Sequence, residues 1–223
     1  MSRTDQKQQS IDHFRRTEMT EMEKMLLGKL YDPSDEALSR MRLCAHRLSK
    51  DYNDTYEDEA EKRADILKKL VPNLGKDSYI QGPVQFDYGV NTTFGERCFV
   101  NCNFVALDCC PIIIGNDVFF GPNCTLATPV HPLLSEERKL RYKDDGTPFD
   151  YEYAKPIVLE DGCWIATNVT ICGGVTVGRN SVIGAGSVVT RDIPAGCFAA
   201  GNPCTVIREI TAQDSIHLKK ALF

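Results

Sequence analysis

The sequence predicts a mainly β protein, a triangular parallel β-solenoid that carries an N-terminal helical cap and a long inserted loop. The main observation is a strict six-residue period between Leu159 and Pro194, LEDGCW IATNVT ICGGVT VGRNSV IGAGSV VTRDIP. An amphipathic helical pattern precedes the repeat, and a charged, proline-containing segment interrupts it. A six-residue period matches neither the 3.6-residue turn of a helix nor the alternation of an ordinary strand. It is typical of a solenoid in which three hexads close one coil.

Each hexad has an aliphatic first residue and a small or apolar fifth residue, and we expect both to face the interior. The first positions are Leu159, Ile165, Ile171, Val177, Ile183 and Val189, and the fifth positions are Cys163, Val169, Val175, Ser181, Ser187 and Ile193. The positions between them carry Gly, Asn, Asp and Thr, which tolerate tight turns and unusual φ angles. An ordinary β-sheet with accidental spacing is the alternative, and the unbroken run of matches argues against it.

The same pattern begins earlier in the chain with less regularity. Its first positions are Ile80, Phe86, Phe94, Val100, Ala106, Ile114, Phe120 and Leu126, with slips of two residues before Phe94 and Ile114. Its fifth positions are Val84, Val90, Cys98, Phe104, Val118 and Cys124. The inward residues of this half are bulkier, so we expect its coils to be less uniform.

The domain boundaries follow from where these patterns start and stop. We expect a flexible tail over residues 1–18, a helical cap over 19–75, the β-solenoid over 76–210 and a C-terminal tail over 211–223. In the cap, the break at Asp32-Pro33-Ser34-Asp35 and an acidic turn at Asp51–Asp58 separate the helices. The period stops over residues 127–156, and a long insertion in a rigid scaffold is typical of a functional arm.

Composition and charge exclude several classes of function. The formal net charge is −5, without the basic cluster of a nucleic-acid binder. No apolar run is long enough to span a bilayer, and the polar N-terminus lacks a signal-peptide core, so we expect a soluble, cytoplasmic protein without a membrane partner. The ten cysteines lack the CxxC pairs of a zinc site, and Cys98, Cys124 and Cys163 occupy interior positions. We therefore expect buried thiols rather than disulfides or a metal site.

His131 is the strongest candidate for catalysis among the four histidines, because His13, His46 and His217 lie outside the solenoid portion. Two flanking prolines stiffen the backbone that presents it, at the point where the repeat ends and the arm begins. An imidazole exchanges protons near neutral pH, which suits a general base that deprotonates a hydroxyl. The alternative is a solvated or structurally satisfied histidine.

Four segments give the chain a resemblance to a known family over most of its length, from about Met19 to Thr211. They are EMEKMLLGKLYDPSDEAL, QFDYGVNTTFGERCFVNCNFVALD, the His131-Pro132 pair and KPIVLEDGCWIATNVTICGGVTVGRNSVIGAGSVVTRDIPAGCFAAGNPCTVIRE. The chain resembles the hexapeptide-repeat acetyltransferases, and within them the maltose/galactoside O-acetyltransferase branch. The repeat alone indicates the superfamily, whereas the cap together with His-Pro and GNPC is much more specific.

The resemblance implies a left-handed parallel β-helix that forms a homotrimer, with active sites between neighbouring subunits. It implies transfer of an acetyl group from acetyl-CoA to a hydroxyl of a small sugar such as maltose or glucose, with no metal required. His131 matches the family's general base, which acts in a direct ternary-complex transfer. Asn101 matches an acceptor-binding position and could also steady the tetrahedral intermediate.

The same match implies further binding residues. Acceptor contacts map onto Asp87, Asn101 and the Asp108/Cys109 pair, because carboxylates and amides can hold sugar hydroxyls. Trp164 is either a wall of the acyl channel, and so part of the substrate site, or a packing residue of its coil. The acetyl-CoA contacts map onto Thr167, Ala185, Thr190, Arg191 and Arg208, and the two arginines would meet phosphates.

The chain departs from the family pattern in ways that affect the acceptor and the coenzyme. Thr205 replaces a basic residue, the arm is longer than in the galactoside enzymes, and the acidic contact in the cap is either Asp32 or Asp35. An antibiotic or serine type of acceptor is therefore the alternative to a sugar. A non-catalytic scaffold is the remaining class, whereas a γ-type carbonic anhydrase would need three metal-binding histidines.

Overall fold

The computed structural model describes residues 19–222, in which parallel strands wind into a left-handed β-helix with three flat faces. A helical cap precedes the β-helix and a long arm interrupts it, so the predicted fold class is confirmed. The flexible tail predicted over residues 1–18 lies outside the described residues. No helix within residues 19–222 is long and apolar enough to cross a membrane.

Short strands form the faces, and neighbouring strands within each face are parallel except for the final antiparallel pair. In chain order they are β1 (Asn73–Leu74), β2 (Tyr79–Ile80), β3 (Val84–Phe86), β4 (Thr92–Phe94), β5 (Phe99–Val100), β6 (Phe104–Leu107), β7 (Ile112–Ile114), β8 (Phe119–Phe120), β9 (Thr125–Ala127), β10 (Pro129–Val130), β11 (Arg141–Tyr142), β12 (Pro148–Phe149), β13 (Tyr153–Ala154), β14 (Ile157–Leu159), β15 (Trp164–Ile165), β16 (Thr170–Cys172), β17 (Thr176–Val177), β18 (Val182–Ile183), β19 (Val188–Val189), β20 (Cys197–Gly201) and β21 (Cys204–Glu209). Face I contains β1, β4, β7, β14 and β17, and face III contains β3, β6, β9, β16 and β19. Face II contains β2, β5, β8, β15, β18, β20 and β21.

The aliphatic first positions of the hexads stack in the interior in register. Ile165, for example, pairs with Phe120 on one side and with Ile183 on the other. All six first positions from 159 to 189 are at most 1% exposed, which confirms their predicted direction. The prediction for Val90 is wrong, because that side chain is exposed. The tight turn at Gly89, which has a φ of 71°, shifts the pattern so that Thr92 is buried instead.

The corner between faces I and II shows why the repeat is rich in Asn, Asp and Gly. One residue in each successive coil adopts a positive φ there: Asp77, Arg97, Asp117, Gly162, Asn180 and Gly196. Asn, Asp and above all Gly adopt this conformation at low cost. The polar positions of the hexads therefore set the bends, and the aliphatic positions fill the prism.

The cap covers the terminal strand of face III. The helices are α1 (Glu21–Leu26), α2 (Glu36–Asn53) and α3 (Ala60–Leu70) in the cap and α4 (Ser135–Arg138) in the arm. The Asn53 side chain donates to Val84 O at 2.8 Å and accepts from Val84 N at 2.7 Å, and Ser49 Oγ accepts from Phe86 N at 3.4 Å. These bonds satisfy an edge that would otherwise pair with another chain. The acidic turn predicted over Asp51–Asp58 is present, but it begins later than predicted because α2 continues to Asn53.

The arm leaves the prism between β9 and β14 and folds back onto the cap of the same chain. At its root, β10 pairs with β13, and further out β11 pairs with β12. Tyr31 of the cap forms an antiparallel bridge with Glu152 of the arm. Lys143 Nζ lies 2.6 Å from Asp32 Oδ2. The cap and the arm therefore meet beside the root of the arm, where His131 lies.

Candidate functional site

The predicted site residues lie along two different corners of the prism. Asp87 follows β3, His131 follows β10, and Thr190 and Arg191 follow β19, all at the corner between faces III and I. Asn101, Thr167 and Ala185 follow β5, β15 and β18 at the corner between faces II and III. We call these the III/I corner and the II/III corner. Within one chain, the structure therefore does not bring Asn101 together with His131.

At the III/I corner, His131 faces a nearly buried carboxylate. Its Nε2 atom lies 3.9 Å from Oε2 of Glu152, and the side chains are 47% and 12% exposed respectively. The pairing of β10 with β13 creates this neighbourhood, because it sets the residue after Val130 beside the residue before Tyr153. The imidazole is open to solvent on one side and backed by a carboxylate on the other, as a general base requires.

Tyr31 holds that carboxylate from the cap side. Its hydroxyl donates to Oε1 of Glu152 at 2.5 Å, and its backbone N–H donates to the Glu152 carbonyl at 2.9 Å. Burial, together with the neighbouring Cys109 and Glu152, raises the pKa of Tyr31 far above its usual value. The hydroxyl therefore keeps its proton and remains a donor, which leaves Oε2 of Glu152 directed to His131.

Asp87 extends the same group of side chains toward the helical cap. The Cys109 thiol lies between Tyr31 and Asp87, with its Sγ 3.8 Å from Asp87 Oδ2. Burial raises the pKa of Cys109, so it stays a neutral thiol. His46 of α2 places its Nε2 3.5 Å from Asp87 Oδ1. These residues, with Glu152 and His131, form what we call the polar cluster.

Asp108 differs from the other predicted acceptor residues because it has no exposed surface. Its Oδ1 accepts from Tyr88 N at 2.8 Å and its Oδ2 accepts from the Thr92 hydroxyl at 3.0 Å. Burial raises the pKa of Asp108 despite these donors. Asp108 therefore lies beneath the turn that carries Asp87, and its two oxygens hold that turn together. Because it is buried, it has no direct access to an acceptor.

The two acidic residues of the cap have different roles in the structure. Asp35 begins α2 and accepts from Ala37 N at 3.0 Å and Leu38 N at 3.1 Å, as an N-cap residue does. Asp32 is buried and pairs with Lys143 of the arm. Burial acts to raise the pKa of Asp32, but hydrogen bonds from Lys143 and Ser34 lower it on balance. Asp32 therefore ties the arm to the cap.

The II/III corner is built from small residues along one line. Asn101, Gly121 and Ala166 occupy equivalent places in successive coils, because each donates its backbone N–H to the next coil. The Asn101 side-chain oxygen accepts from Cys102 N at 2.8 Å, which leaves its NH₂ group as a donor. Thr167 is half-buried and Ala185 is exposed beside this line. A corner with short side chains lets an extended ligand approach the backbone.

Face II carries the remaining predicted residues. Trp164 is 53% exposed and stacks in register between Phe119 and Val182. It lines a cavity of about 340 Å³ together with Arg208 and Asp214. The Arg208 guanidinium forms a two-point ion pair with Asp214 at 2.7 and 2.8 Å, which lowers the pKa of Asp214 to about 2. Trp164 thus faces an open cavity, and Arg208 already has an anionic partner.

Family models and relatives agree with this architecture. The maltose acetyltransferase hexapeptide capping motif matches residues 24–75, the six-repeat bacterial transferase hexapeptide matches 156–191, and the hexapeptide repeat of succinyl-transferase matches 111–131. A galactoside O-acetyltransferase of Escherichia coli K12 is 38% identical over 192 residues, which cover 86% of this chain and 90% of that protein. The chain belongs to the hexapeptide-repeat acetyltransferases, in the maltose/galactoside O-acetyltransferase branch.

Solved structures of this family show the same fold. A maltose O-acetyltransferase from Clostridium difficile superimposes with a TM-score of 0.79 at 42% identity, covering 86% of this chain and 98% of that one. A hexapeptide-repeat acetyltransferase from Vibrio cholerae, complexed with acetyl-CoA, gives a TM-score of 0.76 at 36% identity, covering 86% and 100%. No group of three or more His, Cys, Asp or Glu side chains within residues 19–222 is arranged to hold a metal ion.

For this acetyltransferase, sequence reasoning missed three members of the polar cluster as partners of His131 and Asp87: Tyr31, Glu152 and His46. Tyr31 and Glu152 are 121 residues apart and meet only because the arm folds onto the cap. The one local signal was the position of Glu152 between Tyr151 and Tyr153 in the arm. No comparable local signal pointed to His46, which lies four residues after Arg42 on the side of α2 that faces the turn after β3.

Proposed function

We propose that this acetyl-CoA-dependent sugar O-acetyltransferase acts on a small neutral sugar of the glucose or maltose type, with His131 as its general base. The single observation that carries the proposal is the polar cluster, in which His131 lies 3.9 Å from Glu152 and Asp87 is linked to the same group of side chains through Cys109 and Tyr31. Hydroxyl acceptors need such a base, and oriented carboxylates suit sugar hydroxyls.

In this mechanism His131 takes the proton of the acceptor hydroxyl while the hydroxyl oxygen attacks the thioester carbonyl carbon of acetyl-CoA. The C–S bond then breaks, and His131 returns the proton to the departing thiolate. The reaction is balanced without a covalent acetyl-enzyme. Removing such a base lowers the rate by roughly a hundred- to ten-thousand-fold.

Glu152 stabilises the charged imidazole that forms during the transfer. Its Oε2 lies 3.9 Å from His131, and Tyr31 keeps the carboxylate in place from the other side. Because Tyr31 remains protonated, it does not add a second negative charge to this region. Glu152 acts through His131 and is therefore a positioning residue rather than a group that touches the substrate.

We further propose a homotrimer in which the III/I corner of one subunit meets the II/III corner of its neighbour. The observation behind this is that Asp87 and His131 lie at one corner whereas Asn101 lies at the other. Face III separates the two corners, and its outward side chains are uncharged: Gln85, Val105, Leu107, Thr125, Ala127, Thr170, Cys172 and Val188. Asn101 of the neighbour would then donate to the oxyanion of the tetrahedral intermediate.

Acetyl-CoA fits the II/III corner, where short side chains line an extended path. Thr167 and Ala185 would offer backbone groups to the pantetheine amides, and Trp164 would form the wall of the acyl channel. Thr190 and Arg191 lie at the III/I corner, so the neighbouring subunit would supply them to the distal part of the coenzyme. Arg208 would bind there as well, either by leaving Asp214 for a phosphate or by pairing with both. Thr205 supplies no positive charge to this end.

The acceptor site is selective through Asp87, whose side chain is only 18% exposed. A carboxylate at this depth repels an anionic acceptor and accepts hydrogen bonds from neutral hydroxyls. The arm contributes aromatic surface, since the rings of Phe149 and Tyr151 pack edge to face with centroids 5.6 Å apart.

Since all ten cysteines are free thiols, we place the enzyme in the reducing cytoplasm.

The experiment that tests this function is a comparison of kcat/KM for glucose, maltose, a thiogalactoside, serine and chloramphenicol at a fixed acetyl-CoA concentration. We expect glucose or maltose to be preferred, and Asp87→Ala to lower kcat/KM for these sugars. A preference for chloramphenicol or serine over every sugar, or unchanged sugar turnover in Asp87→Ala, would contradict the proposed acceptor.

A further inference from the structure

We propose that His46, a residue of the cap helix α2, is a specificity-determining residue that binds the acceptor jointly with Asp87. The inference rests on the proposed function, because it needs an acceptor at Asp87. It assigns to the pair a particular ligand chemistry, a neutral polyol that presents two adjacent hydroxyl groups.

The contact between the two side chains carries the inference. His46 Nε2 lies 3.5 Å from Asp87 Oδ1, at the outer limit of a hydrogen bond. The imidazole is 43% exposed, so it is open to a ligand, whereas Asp87 is more enclosed at 18%. The other carboxylate oxygen of Asp87 faces the Cys109 thiol at 3.8 Å. Neither contact uses the full acceptor capacity of the carboxylate, which retains lone pairs for ligand hydroxyls.

The cap helix fixes the position of His46. Arg42 donates to the Tyr88 hydroxyl at 3.0 Å, one helical turn before His46. Ser49 and Asn53 bind the backbone of β3 on the following turns. Residues spaced by three and four lie on one face of a helix, so His46 is held against the turn after β3 from both sides. The helix thus presents the imidazole to Asp87 as a rigid element.

The two side chains are chemically complementary. A carboxylate such as that of Asp87 accepts hydrogen bonds, whereas an imidazole N–H donates one. A sugar hydroxyl can donate to Asp87 while its neighbour on the ring accepts from His46, which gives two bonds in a fixed relative geometry. An acceptor with a single hydroxyl, or with hydroxyls that are not adjacent, can satisfy only one of the two groups.

The test compares wild type, His46→Ala and His46→Gln in steady-state kinetics, with Arg47→Ala as the matched control on the exposed side of the same helix. For His46→Ala we expect KM for the preferred sugar to rise about three- to tenfold, as for the loss of one hydrogen bond. We expect kcat at saturating sugar and KM for acetyl-CoA to change less than twofold. His46→Gln, which keeps a donor, should recover part of the loss, and Arg47→Ala should behave as wild type.

A double-mutant cycle with Asp87→Ala separates joint binding from a structural effect. If the two residues bind the sugar together, His46→Ala should raise KM much less in the Asp87→Ala background than in wild type. An unchanged sugar KM in His46→Ala, with wild-type activity on the sugar, would overturn this inference alone. An additive cycle would do the same. A wild-type enzyme that acetylates no sugar would overturn the proposed function and this inference together.

Discussion

Glu152→Gln is the substitution that probes the environment of His131 most specifically. The amide has nearly the same shape as the carboxylate, and its oxygen can still accept from the Tyr31 hydroxyl. What it removes is the negative charge 3.9 Å from His131 Nε2. If His131 takes up the proton of the acceptor hydroxyl, the variant loses the attraction between that carboxylate and the imidazolium.

The size of the effect follows from the distance and the exposure. Two unit charges at this separation attract by about 4 kcal/mol at an effective dielectric constant of 20 and by about 1 kcal/mol in water. His131 is 47% exposed, so solvent screens the pair and the lower part of this range applies. A loss of about 1–2 kcal/mol in the transition state corresponds to a decrease in kcat of about 5- to 30-fold.

The assay is steady-state transfer to the preferred sugar, with urea unfolding to compare stability. Asp144→Asn, at an exposed carboxylate elsewhere in the arm, is the matched control and should leave kcat unchanged. We expect the Glu152→Gln decrease to appear in kcat rather than in KM for acetyl-CoA. A folded Glu152→Gln variant with wild-type kcat would refute the electrostatic role that we assign to Glu152.

Three further predictions follow from other parts of the structure. Asp108→Ala leaves the buried donors of Tyr88 and Thr92 without partners, so the free energy of unfolding in urea should fall by about 2–5 kcal/mol. Arg208 lowers the pKa of Asp214 to about 2, below its ordinary value near 4. The ion pair therefore stabilises the folded state above pH 4, and this contribution is lost as the pH falls toward 2. The melting temperatures of wild type and Asp214→Asn should accordingly differ at pH 5–8 and converge between pH 4 and 2; a constant difference would contradict this. Light scattering should give about three times the 24.9 kDa chain mass, and an active monomer would contradict the shared site.

The regular part of the fold could be read from the sequence because its determinants are local and periodic. Each coil needs the same kinds of residue, namely aliphatic residues that face the interior and turn-forming residues at the corners. Val90 shows the limit of this reasoning, since the turn at Gly89 shifts the interior position to Thr92. Handedness is a second limit, because the usual rule for parallel strands predicts right-handed crossovers. The prediction of a left-handed β-helix came from the family resemblance rather than from the hexads.

The candidate site was predictable only in part, because its members are distant in sequence. His131 could be singled out from its flanking prolines and its place at the end of the repeat. The partnership of Tyr31 with Glu152 depends on how the arm docks on the cap, for which the sequence has no periodic signal. Asp108 shows the reverse case, since a carboxylate next to the site in sequence proves to be fully buried. Asp108, Cys109 and Cys110 are all buried, and the resemblance did not distinguish a buried carboxylate from an accessible one.

The most direct test of the account is the turnover of His131→Ala with the preferred sugar and saturating acetyl-CoA. We predict that kcat falls roughly a hundred- to ten-thousand-fold. The melting temperature and the dissociation constant for CoA, measured by calorimetry, should stay near their wild-type values because the half-exposed imidazole is not part of the core. A folded His131→Ala variant that acetylates sugar at the wild-type rate would show that another group removes the hydroxyl proton.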